Sequence, residues 1–546
     1  DLVRRVAQVW RQRRAAVQTE GARLVAAIST GPLRAAPAGS LTAERLDQAA
    51  ATLRSEHEPT YGGFGGAPKF PPHMALLFLL RQHQRTGDAA SLEVVRHTAE
   101  AMARGGIHDQ LAGGFARYSV DERWLVPHFE KMLYDNALLL RVYTQLWRLT
   151  GDEQSLRVAT GIVGFLEHEL RTPEGGLASS LDADTDGVEG ATYSWTPAQL
   201  REALGDDDAA FAADLFDVTE TGTFEHGTSV LRLARDLDAA DPAVRARGLD
   251  VRDRLLAARG ARPQPGRDDK VVAAWNGLTI TALCEFAAVL AGGADNSTAG
   301  RATRLAVDAA RLLADRHLVD GRLRRVSRDG EVGAPAGVLE DYGAVAEAFC
   351  AVHQLTGEGR WLDQAGVLLD VALAHFADGN GGFYDTADDA ERLVTRPADP
   401  TDNATPAGRS ALAAALISYT ALTGRTSYRD AGQRALETIV PLLARHARFV
   451  GYAAAAAEAL HAGPVEIAIA TTDPAGDDLV RAAWRLAPPG AVIVAGEPDR
   501  PGVPLLADRP LLDGRPTAYV CRGFVCELPV TTVADLAARL KIVNSA

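Results

Sequence analysis

With 546 residues and 47% apolar side chains, the chain has material for a sizeable core and for more than one domain, which excludes a disordered chain. Its 71 carboxylates outnumber 57 lysines and arginines, so it lacks the basic footprint that neutralises phosphates, and nucleic acid is not an expected partner. No apolar run approaches the roughly 20 residues of a bilayer span, no basic segment followed by an apolar one reads as a signal peptide, and four cysteines make no disulfide framework; a cytoplasmic protein without membrane contact is expected.

From the start of the chain, Leu2, Val3, Val6, Val9, Trp10, Val17, Leu24 and Val25 recur at helical spacing. Beyond them, four apolar stretches stop at a Thr-Gly pair, at Gly87, Gly151, Gly357 and Gly424, and a second helix begins within a few residues. Glycine suits the left-handed residue after a helix, and Asp88, Asp152 and Glu358 suit the positive start of the next. The spacing leaves room for two more hairpins between Thr150 and Thr356. One runs from Trp275 through Gly292-Gly293 to Leu318; the other is expected within Thr196–Arg259, opened by the capping box Thr196-Pro197-Ala198-Gln199. Two-glycine corners recur at Gly62-Gly63-Phe64, Gly113-Gly114-Phe115, Gly175-Gly176-Leu177 and Gly381-Gly382-Phe383.

Six such hairpins predict a mainly α fold, an (α/α)6 barrel or six-hairpin toroid closing between about Pro72 and Arg445, with its cleft where the long loops gather. After about Leu460 the text turns to β-branched runs, Val465–Ala470 and Ala491–Ala495, separated by a helical stretch. With a strand at Pro516–Cys521 and a last helix, they predict a small C-terminal α/β lobe. Cys521 and Cys526 are expected close together as a buried pair of thiols, a redox pair being the alternative, with no metal between them. Cys284 and Cys350 read as core residues.

The densest polar text runs from Gly105 to Asn136 and holds His108, Asp109, Arg117, Tyr118, Trp124, His128, Glu130 and Asp135. If Pro127 opens a helix, His128 and Asp135 share a face two turns apart, and a histidine with a nearby acid suits general acid-base work. Asp182-Ala-Asp184-Thr-Asp186-Gly187 matches half a calcium loop, but Tyr193 at its twelfth position supplies no carboxylate, so carboxylates that bind hydroxyls fit better. Asp269 before Trp275-Asn276, and Glu340-Asp341-Tyr342, repeat the grouping of acid, aromatic and amide at the starts of further hairpins. The expected catalytic set is His128, His108, Asp109 and Glu130. The expected substrate-binding set is Arg117, Tyr118, Trp124, Asp135, Asp182, Asp184, Asp269, Trp275, Asn276, Glu340, Asp341 and Tyr342. No cofactor and no metal are expected.

Tyr61–Pro71, the Gly105–Asn136 block, Leu181–Asp184, Asp268–Lys270 with Trp275-Asn276-Gly277, Leu339–Tyr342 and Tyr519–Pro529 resemble the thioredoxin-domain-containing family typified by spermatogenesis-associated protein 20. The resemblance implies a helical domain similar to N-acylglucosamine 2-epimerases and six-hairpin glycosidases, and a thioredoxin-like domain in front. Residues 1–30 then read as the last helix of that domain, 31–60 as a linker and helix, 61–455 as the barrel and 456–546 as the lobe. Ala407-Gly408-Arg409 departs from a Pro-Ser-Gly-Asn text in the family. The expected activity is that of an epimerase or isomerase on a carbohydrate-like small molecule; a glycoside hydrolase with paired carboxylates and a non-catalytic module serving the thioredoxin-like domain are the alternatives.

Overall fold

The structure, a computed structural model, describes residues 2–29, 39–292 and 296–545. In chain order its helices are α1 (Leu2–Gln12), α2 (Arg14–Ser29), α3 (Ala43–Glu56), α4 (His73–Thr86), α5 (Ala89–Arg104), α6 (Leu133–Thr150) and α7 (Glu153–Phe165). Then follow α8 (Pro197–Leu204), α9 (Asp206–Phe216), α10 (Pro242–Gly260), α11 (Ala273–Leu290), α12 (Asn296–Leu312), α13 (Leu339–Thr356) and α14 (Gly359–His375). Last come α15 (Gly408–Thr423), α16 (Thr426–Glu437), α17 (Val440–Leu443), α18 (Gly451–Ala462), α19 (Asp478–Leu486) and α20 (Val533–Ser545).

Helices α4, α6, α11, α13, α15 and α18 pack in that order, and α18 returns to α4, so the ring is closed. Helices α5, α7, α12, α14 and α16 lie outside their partners, and α3 takes the outer place beside α4 and α18. The fold is the (α/α)6 barrel expected, but two of its parts are not. The Thr196–Arg259 segment does not enter the ring: α8, α9 and α10 gather around their own core of Trp195, Leu200, Phe216, Val251 and Leu255. The sixth inner helix is α18 instead. An inner helix is enclosed on every side, so it must be apolar all round. Of the 18 residues of α11, 16 are buried, and the alanine run of α18 buries every residue from Gly451 to Leu460, whereas α10 buries only Gly248, Val251, Leu255 and Arg259. Contrary to expectation, α11 is long and apolar enough to cross a bilayer, the one such helix among the described residues, but it is 89% buried within the protein.

The turns follow their chemistry. Gly87, Gly151, Gly357 and Gly424 adopt φ of 74°, 72°, 65° and 75°, each donating its N–H to the carbonyl four residues back. Asp88 and Asp152 cap α5 and α7 by accepting from Ala90 N and Ser155 N. The expected turn at Gly292-Gly293 lies partly outside the described residues, since Gly293 is not among them. At the corner after α5, Gly113 has φ 80° and a Cβ there would lie 2.4 Å from the Gly161 carbonyl oxygen, so no other residue fits. Inside the ring a Cβ on Gly343 would lie 2.4 Å from Leu412 N, which lets α13 and α15 meet at their N-terminal ends.

The lobe sheet has four strands, β1 (Val465–Ala470), β2 (Val492–Gly496), β3 (Thr517–Arg522) and β4 (Val525–Cys526), in the order β2-β1-β3-β4. β1 and β2 are parallel and joined through α19, the expected βαβ unit, and β3 runs antiparallel to β1. Cys521 and Cys526 face each other across β3 and β4 and form a disulfide, not the buried pair of thiols expected; Cys526 lies on an exposed strand. The lobe covers the C-terminal ends of the inner helices: Arg148 near the end of α6 donates to the Arg485 and Ala487 carbonyls, and Gln354 near the end of α13 accepts from Ile493 N. The N-terminal ends of the ring, with the long loops, form its other face.

Candidate functional site

Much of the polar text builds the corners rather than a site. Asn136, in the first turn of α6, accepts from Phe115 N at 2.7 Å and donates to the Phe115 and Met132 carbonyls. Asn276, at the same place in α11, does the same to Leu177 N and O and to the Val272 carbonyl. Tyr342 at that place in α13 is buried, and its hydroxyl accepts from Leu323 N. Arg409 donates to the Phe383 carbonyl and to Thr438 Oγ1, so the residue that departs from the family text ties the fourth corner. Each clamp satisfies buried backbone groups that would cost about 1–3 kcal/mol if orphaned. Asn276 and Tyr342 therefore hold the scaffold, contrary to the expectation that they bind substrate.

The polar groups that do converge lie at the N-terminal ends of α4, α6 and α18. There a cavity of about 360 Å³ is lined by His73, Arg117, Tyr134, Asp135, Asp402, Asn403, Arg448 and aromatic rings including Phe70 and Phe449, within the range of small-molecule sites. His73 Nε2 lies 3.2 Å from Asp135 Oδ1. Both side chains are buried, and among the described residues His73 Nδ1 and Asp135 Oδ2 have no hydrogen-bond partner. Burial pushes the Asp135 carboxyl above its ordinary range, against the pull of His73. The Tyr134 phenol is likewise raised by burial and by the Asp135 charge, and its ring meets Trp275 edge-on at 4.9 Å. Burial pushes Asp402 up to about 6, although it accepts from Ala407, Tyr452 and Ala453 N and so caps α18. Arg117 pairs with Glu130 at 3.1 Å on the rim.

His128 lies outside this cavity. Pro127 opens no helix; Pro127–His128 is a two-residue strand paired with Tyr118–Ser119, and α6 starts only at Leu133. His128 stacks on Tyr118 with centroids 5.0 Å apart, Tyr118 packs on the exposed Phe70 at 4.9 Å, and His128 Nδ1 lies 2.8 Å from Glu189. These three rings make a ledge from the cavity to the surface. His108 and Asp109 line a separate hollow of about 30 Å³. Burial pulls His108 down to about 3, and neither of its ring nitrogens has a hydrogen-bond partner among the described residues. Asp109 sits between Lys131 at 2.7 Å and Arg259 at 2.8 Å, which hold its carboxyl well below the usual range and tie α10 to the ring. Trp124 is fully buried, φ 65°, its indole N–H on the Tyr61 carbonyl. Asp109 and Trp124 are thus structural where chemistry and substrate binding were expected.

The remaining acids do not meet at the cavity. Asp182 and Asp184 are exposed, and the hairpin Asp184–Thr185 with Val188–Glu189 turns through Asp186 and Gly187 instead of forming a calcium loop. Asp269 pairs with Arg267 at 2.6 Å. Glu340 and Asp341 share Arg325 at 2.6 and 2.9 Å, and Asp341 also accepts from Ala274 and Val338 N. The sequence reading missed His73, Tyr134 and Asp402. The signal for His73 was Pro71-Pro72 immediately before a histidine at a helix start, and for Tyr134 its place beside Asp135. Among the described residues, only His375, Asp388 and Asp389 have the spacing of metal ligands, and there Arg322 already holds Asp389 through two bonds of 2.7 and 2.8 Å.

No family model matches the chain. Its sequence is 30% identical to spermatogenesis-associated protein 20 of Homo sapiens over 97% of this chain and 74% of that protein. To the protein of that name from Rattus norvegicus it is 29% identical over the same shares. Among solved structures it is similar to a D-mannose isomerase, with 12% identity, a TM-score of 0.46 and coverage of 74% of this chain and 87% of that one. It is similar also to an unsaturated glucuronyl hydrolase specific for heparin, with 10% identity, a TM-score of 0.47 and coverage of 77% and 96%.

Proposed function

The chain belongs to the spermatogenesis-associated protein 20 family, and from the buried pair at the mouth of its ring we propose that it is an enzyme that moves a proton beside the carbonyl of a sugar or sugar derivative, as an epimerase or isomerase does. The observation that carries this reading is His73 hydrogen-bonded to Asp135, with one polar atom of each left without a partner among the described residues, at the wall of a cavity. Buried polar groups are ordinarily satisfied, and an exception that borders a cavity of ligand size beside a group with a shifted pKa is a place where chemistry or ligand contact accounts for it.

With the shared proton on Nε2, Nδ1 of His73 carries a lone pair that takes the proton from the carbon beside the carbonyl. The electrons of the C–H bond move into the carbonyl and leave an enediolate, for which Arg117 and the neutral Tyr134 phenol are available donors. Asp135 stabilises the imidazolium that forms, and return of the proton gives the epimer or isomer. Phe70, Tyr118 and His128 extend an aromatic ledge on which the apolar face of a second ring would stack. His108, inside its own hollow, is not assigned the proton transfer. The acidic balance favours a small ligand over nucleic acid, and a cytoplasmic location, to be checked by cell fractionation, goes with such a substrate.

The test is solvent exchange. Reducing monosaccharides, N-acyl amino sugars and disaccharides are incubated with the protein in D2O, and loss of the C2 proton signal is followed by NMR. Exchange with at least one sugar, lowered on the order of 10²-fold or more in His73→Ala, is expected; no exchange across the panel, or full exchange in His73→Ala, sinks the proposal. A second reading, a binding module without chemistry serving a thioredoxin-like domain, draws on the arginines that already hold Glu340, Asp341 and Asp109. It predicts sugar binding without exchange. Hydrolysis is disfavoured because Asp402, the second buried carboxylate at the cavity, is already bonded to three backbone N–H groups.

A further inference from the structure

A second chamber lies within the ring, at the end away from the mouth. Its volume is about 120 Å³, and it is walled by α4, α6, α11 and α13 and closed by Trp484 and Ala487–Ile493 of the lobe. A void of roughly 150 Å³ accepts benzene, so this one has room for a molecule of about six heavy atoms. Unlike an apolar void, its wall is charged.

Three guanidiniums, Arg81, Arg141 and Arg148, face two carboxylates, Glu285 and Glu347, which leaves one positive charge unmatched. The Cys284 and Cys350 thiols in the same wall are pushed up by burial and stay neutral. Arg141 is fully engaged: Nε and Nη2 donate to Glu285 at 3.1 and 2.6 Å, and Nη1 to the Tyr452 hydroxyl, which donates in turn to Glu347 at 2.7 Å. Arg148 is spent on Gln145 and the two lobe carbonyls. Arg81 differs, since Nη1 donates to the Ala455 carbonyl at 2.6 Å and its other nitrogens have no hydrogen-bond partner among the described residues. Burial and the neighbouring Arg141 cation both weigh against its charge. A guanidinium so placed presents the donors that pair with a carboxylate or phosphate.

We infer that this chamber is a binding site for a small oxyanion, a carboxylate or phosphate of about six heavy atoms or fewer, received by Arg81 with Gln84 beside it. The inference stands independently of the sugar chemistry at the mouth. The two ends of the ring are physically joined through Tyr452, whose hydroxyl belongs to the chamber network and whose backbone N–H donates to Asp402 at the mouth.

The test is thermal unfolding of the whole chain at constant ionic strength, with chloride replaced by millimolar phosphate, sulfate or acetate. At least one oxyanion should raise Tm by about 2 °C or more relative to chloride. The shift should vanish in Arg81→Met, persist in part in Arg81→Lys, and be unchanged in Arg117→Gln, which removes a cation from the mouth instead. A response to phosphate and sulfate alone identifies a tetrahedral ligand, and a response to acetate alone a carboxylate. The proposal is overturned if no oxyanion exceeds chloride, if the shift survives Arg81→Met, or if Arg117→Gln abolishes it. Should Arg81→Met not fold, a shift in Arg81→Lys equal to the parent's would overturn the proposal equally, since a point charge cannot reproduce the fork.

Discussion

Asp135 and Asp341 make a controlled comparison. Each is the third residue of an inner helix, α6 or α13, and each is buried. Their surroundings part them. Asp341 accepts from two backbone N–H groups and pairs with Arg325, and burial still leaves its carboxyl pushed up to about 6. Asp135 has one histidine and, among the described residues, no partner for its other oxygen. The same residue at the same helical position is a clamp where the neighbours complete its bonds, and keeps an oxygen without a partner where they do not. Burial alone does not distinguish the two; the count of satisfied oxygens does.

The sharpest way to break this comparison is to remove the two carboxylates in parallel. Asp135→Asn should lower the exchange rate by about 10²–10⁴-fold while leaving the denaturation midpoint close to that of the parent. Asp341→Ala should do the reverse, costing about 2–4 kcal/mol by orphaning the Ala274 and Val338 N–H groups, while Arg325 keeps Glu340, with exchange per folded molecule preserved. Denaturant titration and NMR exchange on both variants suffice, and a large stability loss in Asp135→Asn with full activity would invert the assignment.

A smaller effect tests the third buried carboxyl. In the native chain Asp402 keeps its proton to about pH 6, whereas the unfolded value is 3.8. Between these the native state binds the extra proton, so acid favours it, and this contribution is lost as pH rises from about 4 to about 6. Relative to Asp402→Asn, the parent should lose about 3 kcal/mol of stability over that window. A difference that stays flat with pH, measured by denaturation at pH 4, 5, 6 and 7, would show that the N–H bonds of the α18 cap outweigh burial.

The smallest expected effect concerns the ledge. His128→Ala removes a stacked ring at the rim, so KM for a disaccharide should rise several-fold with kcat unchanged and stability altered by less than about 1 kcal/mol. Steady-state kinetics check this, and turnover lowered by about 10²-fold would return the proton transfer to His128.

Local signals in the sequence sufficed wherever one residue's own chemistry decides its conformation. The Thr-Gly helix stops, the Asp caps, the capping box at Thr196 and the two-glycine corners all stand where the text placed them, because a positive φ or an orphaned N–H is a local demand. The helical ring and the βαβ unit of the lobe followed from repeated hairpins and β-branched runs. Tertiary structure alone decided which segment closes the ring, since the alanine run of α18 carries no helical period, and a helix enclosed on all sides needs none. It also decided which polar residues are free. Asn136, Asn276 and Asp109 look in sequence like Asp135 and His73, but partners 21, 99 and 150 residues away satisfy the first three. His73 and Asp135 are brought together across 62 residues by two inner helices, and among the described residues one atom of each stays unpaired.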